Sequence, residues 1–145
     1  MMSAAAVVAS AGVLLGAQPQ TPAPGSDPLH RPLDQILDLN VRDGYVYYRA
    51  LQSSRGSLDR YIASLNVPAA TYDGWGNDAK IAFWINAYNA FGLRIVVDNY
   101  PIRRVAAQYP RGSIRLVSGA FDKQTFRAAG RAVTLDDLEK DVLTP

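Results

Sequence analysis

The sequence of 145 residues contains no cysteine and a single histidine, His30. Without cysteine the chain has no disulfide, no thiol nucleophile and no thiolate metal ligand. One histidine, in a proline-flanked segment that we interpret as a linker, can supply neither a histidine metal cluster nor a Ser-His-Asp relay. The sequence also has no G-x-S-x-G nucleophile motif. It therefore predicts no metal and no cofactor.

The chain also has little excess of charge of either sign, because 15 basic residues nearly balance 13 acidic residues and leave a net charge of +2. A nucleic-acid-binding domain usually carries a basic stripe, whereas the arginines here are scattered, so no nucleic-acid partner is expected. One segment could still bind an anion through four arginines that surround Tyr109: Arg103, Arg104, Arg111 and Arg115. No glycine-rich cradle or helix start accompanies them, so the favoured interpretation is a solvated loop.

The first 26 residues contain no charged side chain. The apolar run 4–17 is shorter than the roughly 20 residues that a membrane-spanning helix needs. It has the length of a signal-peptide core and ends in the small residue Ala17, although no Lys or Arg precedes it. We predict a signal-like leader over residues 1–17 and a periplasmic or secreted protein. The alternative is a cytoplasmic protein with a disordered, alanine-rich leader.

Residues 18–32 form a linker in which five of fifteen positions are proline. Proline removes a backbone donor and fixes φ, so this segment can form neither a helix nor a sheet ladder. We interpret it as an extended tether. The folded domain then covers residues 33–145, a length that suffices for one hydrophobic core.

Short elements precede the main helix of this domain. Apolar spacing predicts a helix over residues 33–41 that ends at Asp43-Gly44, and a second helix that is clearest over residues 57–65. The aromatic and β-branched residues 45–48 predict a short strand. Residues 73–76 are typical of a loop.

The strongest signal is a long helix over residues 78–99, with Asn77 or Asp78 as its cap and Pro101 just beyond its end. One apolar stripe runs along it: Ile81, Trp84, Ile85, Tyr88, Phe91, Gly92, Ile95 and Val96. Other apolar residues cover much of the remaining surface, which predicts burial on several sides. Its charged and amide residues would be costly in lipid, so no membrane span is expected. The mid-helix Gly92 indicates a close neighbour.

The rest of the chain alternates irregular segments with short elements. We predict a strand over residues 114–117 and a β-hairpin over residues 126–133 with Gly130 in its turn. Thr134 and Asp137 fit a capping box that begins a last helix, which runs to Leu143. Short strands and helices in this irregular order predict a single α+β domain with a long buried central helix.

Three stretches together carry a family resemblance: residues 44–51 (GYVYYRAL), residues 82–90 (AFWINAYNA) followed by Tyr100-Pro101, and residues 129–139 (AGRAVTLDDLE). They resemble the family named domain of unknown function 547, over residues 33–145. Where that family usually has Ile-Glu-His in the last helix, this chain has Leu138-Glu139-Lys140. The family domain also continues into a block with one histidine and two cysteines, which does not occur before Pro145.

The resemblance therefore implies that this chain is a fragment of an enzyme-like domain with no autonomous activity. The alternative is a non-catalytic module that binds a protein or a peptide in a groove between helices. Because the chain lacks cysteine and has one histidine, the sequence itself favours the binding module.

Three residues are the candidate site. Asn86 and Asn89 are three apart on the long helix, so they could orient a ligand or hold an oxyanion. The alternative, which we favour, is that they tie the helix to neighbouring backbone. Glu139 matches the family's Glu-His position and is the candidate catalytic residue.

The other residues that the sequence singles out have structural explanations. Asp136 and Asp137 are favourable charges at a helix start, and Lys140 is expected at the surface. Trp75 is predicted to cover a loop, and Trp84 is predicted to lie in the core.

Overall fold

Six α-helices and two antiparallel hairpins make up residues 27–144, the part of the chain that the computed structural model describes, apart from the side chain of Leu143. The predicted leader and most of the predicted tether lie outside these residues. The elements in chain order are α1 (Arg31–Asn40), β1 (Val41–Arg42), β2 (Tyr45–Val46), α2 (Tyr48–Ser53), α3 (Gly56–Ser64), α4 (Ala69–Asp73), α5 (Asn77–Asn99), a 3-10 helix (Ile114–Leu116), β3 (Phe126–Ala128), β4 (Arg131–Val133), α6 (Leu135–Leu138) and a π-helical turn (Glu139–Leu143).

The helix α1 is confirmed, and a hairpin that the sequence analysis missed follows it. Leu33 and Ile36 face the core from α1. Asp43 and Gly44 then have φ angles of 52° and 80°, which suit the two-residue turn of a hairpin, and β1 pairs with β2 across it. The predicted strand is shorter than residues 45–48 because Tyr48 already begins α2.

The helix predicted over residues 57–65 is confirmed as α3. The short helices α2 and α4 were not predicted. Helix α2 buries Leu51 alone, and α4 buries no residue, so neither carries a hydrophobic period that the sequence could reveal. Helix α4 contacts the second hairpin, where a Cβ on Gly130 would meet the Cβ of Ala69 at 3.5 Å.

The long helix α5 is confirmed, although its cap differs from the prediction. The N-cap residue is Gly76 and no side chain caps the helix, so neither Asn77 nor Asp78 has that role. Helix α5 packs against α2, α3 and α6. Its buried side chains form the centre of the core: Phe83, Trp84, Ala87, Ala90, Phe91, Leu93, Ile95, Val96 and Val97.

One side of α5 is open to solvent, contrary to the prediction of a continuous buried stripe. Ile81 and Ile85 retain 50 % and 46 % of their accessible surface. A Cβ added to Gly92 would have no described atom within 4 Å, so the predicted close neighbour is absent among residues 27–144. The core uses the opposite side of the helix, on which Phe83, Ala87 and Ala90 are fully buried. Four members of the predicted stripe are buried with them: Trp84, Phe91, Ile95 and Val96.

A ring of four charges joins α3 to α5. Arg55 contacts Asp59 at 3.3 Å and Asp98 at 2.8 Å. Arg94 contacts Asp98 at 2.8 Å and also pairs with Asp59. Each half-exposed pair contributes roughly 0.2–1 kcal/mol, but the closed ring also sets how α3 lies along α5.

His30 lies in the protein core, so its assignment to an extended linker is wrong. Its ring is buried at the start of α1, and its Nδ1 atom lies 2.7 Å from the hydroxyl of Tyr61. The ring also packs against Phe83, with 6.0 Å between ring centroids. Burial lowers the pKa of His30, while the charges of Asp27 and Asp34 act in the opposite direction.

The C-terminal elements match the predictions in part. The predicted strand over residues 114–117 is wrong, because Ile114–Leu116 is a 3-10 helix. The hairpin β3–β4 and the capping box are confirmed: Thr134 Oγ1 accepts from the Asp137 amide at 3.1 Å, and the Asp137 carboxylate accepts from the Thr134 amide at 2.8 Å. Phe126 of the hairpin stacks on Phe91 of α5, with ring centroids 4.2 Å apart.

The structure confirms an α+β fold with α5 as its organising helix. None of the helices within residues 27–144 combines the length and the apolar character that a membrane crossing needs.

Candidate functional site

Five residues of α5 lie on one side of the helix, which we call the open face: Ile81, Ala82, Ile85, Asn89 and Gly92. Apart from Ala82, which is next to Ile81, they recur every three or four positions and therefore share a face. At about 1.5 Å per residue the open face extends over roughly 16 Å. It offers apolar contacts at one end, an amide near its middle and a small residue at the other end.

A polar cluster borders this face, and Tyr88 is its centre. Tyr88 is half-buried on α5. Burial raises its pKa, and the adjacent Glu139 carboxylate raises it further through its charge and as a hydrogen-bond acceptor. Arg115 of the 3-10 helix opposes this shift and Asp136 of α6 adds to it. Three separate elements thus bring their charges to one phenol.

The capping box explains the position of Glu139 near Tyr88. Thr134 and Asp137 fix the start of α6, and α6 and the π-helical turn both pack against α5. Asp137 is held by its own cap, in which the hydrogen bond from the Thr134 backbone amide lowers its pKa. Asp136 pairs with the exposed Lys140 at 3.0 Å, as expected of surface charges. Of the acidic residues that act on the pKa of Tyr88, Glu139 has the larger effect and Asp136 the smaller one.

The two asparagines of α5 differ in exposure. Asn89 is exposed on the open face, and Asn86 is half-buried on its flank. Whether they bind a ligand or tie α5 to neighbouring backbone therefore stays a prediction. Two other amides make such links: Gln52 donates to the carbonyl of Val97 at 2.9 Å, and Asn66 accepts from the amide of Gly130 at 3.2 Å.

Of the arginines that follow α5, Arg104 and Arg115 line a shallow pocket of about 370 Å³ together with Tyr109. Arg103, Arg104 and Arg111 are exposed in irregular backbone, as expected of a solvated loop, and Arg115 lies over the ring of Phe121 at 5.0 Å. Within residues 27–144, no three His, Asp or Glu side chains gather closely enough to hold a metal ion.

The sequence did not reveal Tyr88 as a site residue, because its helical spacing makes it one member of an apolar stripe. The local spacing of Tyr88 to Ile85 and Asn89 cannot predict an interaction with Glu139, which is 51 positions later in the chain. The only available signal was the resemblance, which singled out Glu139.

A family model described as "Protein of unknown function, DUF547" matches residues 72–145, just over half of the chain. The chain belongs to the DUF547 family. The DUF547 match begins in α4 and includes α5, the second hairpin and α6, so the open face and the Tyr88–Glu139 pair both lie inside it. Helices α1 to α3 lie before the match, yet Leu33, Leu51 and Leu58 belong to the same core. No curated protein and no solved structure matches this DUF547 chain.

Proposed function

We propose that this DUF547 chain is a non-catalytic module that binds a polypeptide segment on the open face of α5. The observation that carries the proposal is the half-exposure of Ile81 and Ile85 on a helix whose other side is the centre of the core. An apolar patch bordered by polar residues is typical of a protein interaction site. A helical or extended segment with one apolar side would cover it.

Each residue of the site has a role in this proposal. Ile81 and Ile85 are the apolar anchors, and the absence of a side chain at Gly92 allows the partner backbone to approach closely. The side chains of Asn86 and Asn89 hydrogen-bond to polar groups of the bound segment. Glu139, on the acidic border, pairs with a basic side chain, so the partner segment is apolar on one side and carries a lysine or arginine.

Replacing Ile85 by lysine tests this surface. In the Ile85→Lys variant we expect an unchanged melting temperature but reduced binding of a dye that detects exposed apolar surface. Val105→Lys is the matched control, because Val105 is exposed in the loop after α5 and is not one of the residues of the open face. A photo-reactive residue at position 85 should cross-link to a defined polypeptide segment in the native host, and one at position 105 should not. Equal behaviour of the two positions in both measurements would contradict the proposal.

A second candidate function is an enzyme-like role for Glu139. The feature that favours it is the Glu139 carboxylate near the phenol of Tyr88, where it raises the pKa of that phenol and places a proton acceptor beside a proton donor. On this hypothesis the chain supplies the scaffold and one carboxylate of a site whose remaining groups lie outside residues 27–144. Turnover of any substrate that Glu139→Gln abolishes, at an unchanged melting temperature, would favour this function over the binding module.

We also propose that the protein is exported, on the basis of the uncharged apolar run 4–17 and the proline-rich segment after it. The expected mature chain begins at Gln18. Amino-terminal sequencing of the protein from the periplasm or the culture medium checks this prediction. An intact Met1 on protein that remains in the cytoplasm would contradict it.

A further inference from the structure

Two adjoining shallow pockets are formed by the loop after α5 and by the 3-10 helix with the residues that follow it. Their volumes are about 270 and 370 Å³, and Arg104, Leu116 and Ser118 line both of them. Arg103 belongs to the smaller pocket and Arg115 to the larger one. We call the two pockets together the arginine pocket.

The arginine pocket gathers three positive charges without a neighbouring carboxylate. Among residues 27–144, no Asp or Glu lines either pocket. The ion pairs within the same part of the chain involve other basic residues, so none of them neutralises the three arginines. The whole chain has a net charge of +2, which is less than the charge gathered at this one place. A local excess of positive charge of this kind attracts anions.

Several contacts hold the arginine pocket in shape. Leu116 is buried beneath it. The guanidinium group of Arg115 lies over the ring of Phe121 at 5.0 Å, which limits the freedom of this long side chain. In the loop, the amide of Tyr109 donates a hydrogen bond to the carbonyl of Ala106 at 3.2 Å. Part of the site is therefore ordered before a ligand arrives, which lowers the entropy cost of binding.

The donors of this pocket suit a phosphate group. Each guanidinium group presents a planar fork of N–H donors that matches two phosphate oxygens. Gln108 and Ser118 line the larger pocket and add neutral donors for the remaining oxygens. A phosphomonoester carries a charge of about −1.5 to −2 at neutral pH, which three arginines can balance.

The larger pocket also offers contacts for the organic part of such a ligand. Val105 and Tyr109 line it and are both exposed. An aliphatic side chain and an aromatic ring beside the arginines can pack against an apolar or aromatic group that is attached to the phosphate. Free inorganic phosphate would leave this part of the pocket uncovered.

We infer that the arginine pocket binds a phosphomonoester, with the phosphate between Arg103, Arg104 and Arg115 and the organic group against Tyr109. This inference is independent of the proposed polypeptide-binding function, because the arginine pocket and the open face of α5 share no residue.

Titration of the full-length chain with phenyl phosphate tests the inference. At neutral pH and physiological ionic strength, Arg104→Gln and Arg115→Gln are each expected to raise the Kd about tenfold, the effect of losing a charge-assisted hydrogen bond. Arg111→Gln is the matched control. It removes the same charge from the same loop, but Arg111 lines neither pocket. The Kd of this control should change by less than about twofold, because salt screens exposed charges.

Benzoate separates a phosphate site from a general attraction of anions. It has the same ring as phenyl phosphate but one negative charge and two acceptor oxygens, so its Kd for the wild-type chain should be at least about tenfold higher. Equal affinity for the two probes would overturn the inference. Equal effects of Arg104→Gln and Arg111→Gln on the Kd of phenyl phosphate would also overturn it.

Vesicle sedimentation distinguishes a lipid from a soluble ligand. Vesicles of phosphatidylcholine with a minor fraction of phosphatidic acid present a phosphomonoester on a membrane. Binding that requires both phosphatidic acid and Arg104 would identify a lipid as the source of the phosphate. Binding of phenyl phosphate without vesicle binding would identify a soluble ligand. If neither phenyl phosphate nor these vesicles bind, the inference is overturned. Wild-type melting temperatures of the three glutamine variants show that the fold is intact.

Discussion

Replacing Trp84 by alanine is expected to lower the free energy of unfolding by about 3–5 kcal/mol, the range for a large buried aromatic residue. The side chain is 1 % exposed, and its Nε1 atom donates to the hydroxyl of Tyr72 at 2.8 Å. The guanidinium group of Arg131 lies 4.7 Å above its ring. The loss is comparable to the whole stability of a small domain, so insoluble protein or a much lower denaturant midpoint is expected.

Tyr88→Ala is the matched comparison on the same helix. The helical period of the sequence places Tyr88 and Trp84 in one apolar stripe, but Tyr88 is only half-buried at the border of the open face. About half of the transfer free energy of a buried aromatic, or about 1 kcal/mol, is therefore expected to be lost. Chemical denaturation of both variants checks that Trp84→Ala lowers the free energy of unfolding more than Tyr88→Ala does. Equal losses, or a melt like that of the wild type for Trp84→Ala, would contradict the assignment of this core.

Acidification from pH 7 to pH 5 is expected to destabilise the protein through its single histidine. Burial lowers the pKa of His30 in the folded state below its ordinary value of 6.5. At a pH between the folded-state pKa and the unfolded-state pKa, the unfolded state therefore binds more protons than the folded state. The free energy of unfolding therefore rises with pH in this window. The contribution of neutral, buried His30 to that free energy is complete above pH 6.5 and is lost as the pH falls towards the folded-state pKa. For one proton the slope is at most about 1.4 kcal/mol per pH unit.

His30→Gln tests this assignment. Glutamine does not titrate and can still hydrogen-bond to the hydroxyl of Tyr61, so the variant should show a flatter stability profile between pH 5 and pH 7. Asp27 and Asp34, whose charges act on His30, are both retained in the variant. The measurement is the denaturant midpoint at half-unit steps of pH. An identical pH dependence in wild type and variant would show that His30 is not the responsible group.

The candidate site shows where reasoning from sequence reaches its limit. Glu139 was identified through family resemblance, because nothing in its local spacing distinguishes it from the three other acidic residues of its turn. Its contact with Tyr88 depends on how α6 packs against α5, a pairing of residues far apart in the chain. The roles of Asn86 and Asn89 could not be predicted either, because helical spacing places two residues on a common flank but does not say whether that flank is buried.

The sequence by itself determined the elements whose signals are local: the α+β class, the helix α5, the hairpin at Gly130 and the capping box at Thr134. In each case the signal lies within one helical repeat, one turn or one cap, so no distant contact is needed to specify it. Only the tertiary structure decided which side of α5 is buried. That helix is apolar around most of its circumference, so its pattern permits several orientations, and packing against α2, α3 and α6 selects one of them. The burial of His30 was decided in the same way, because its partner Tyr61 comes from α3, on another part of the chain.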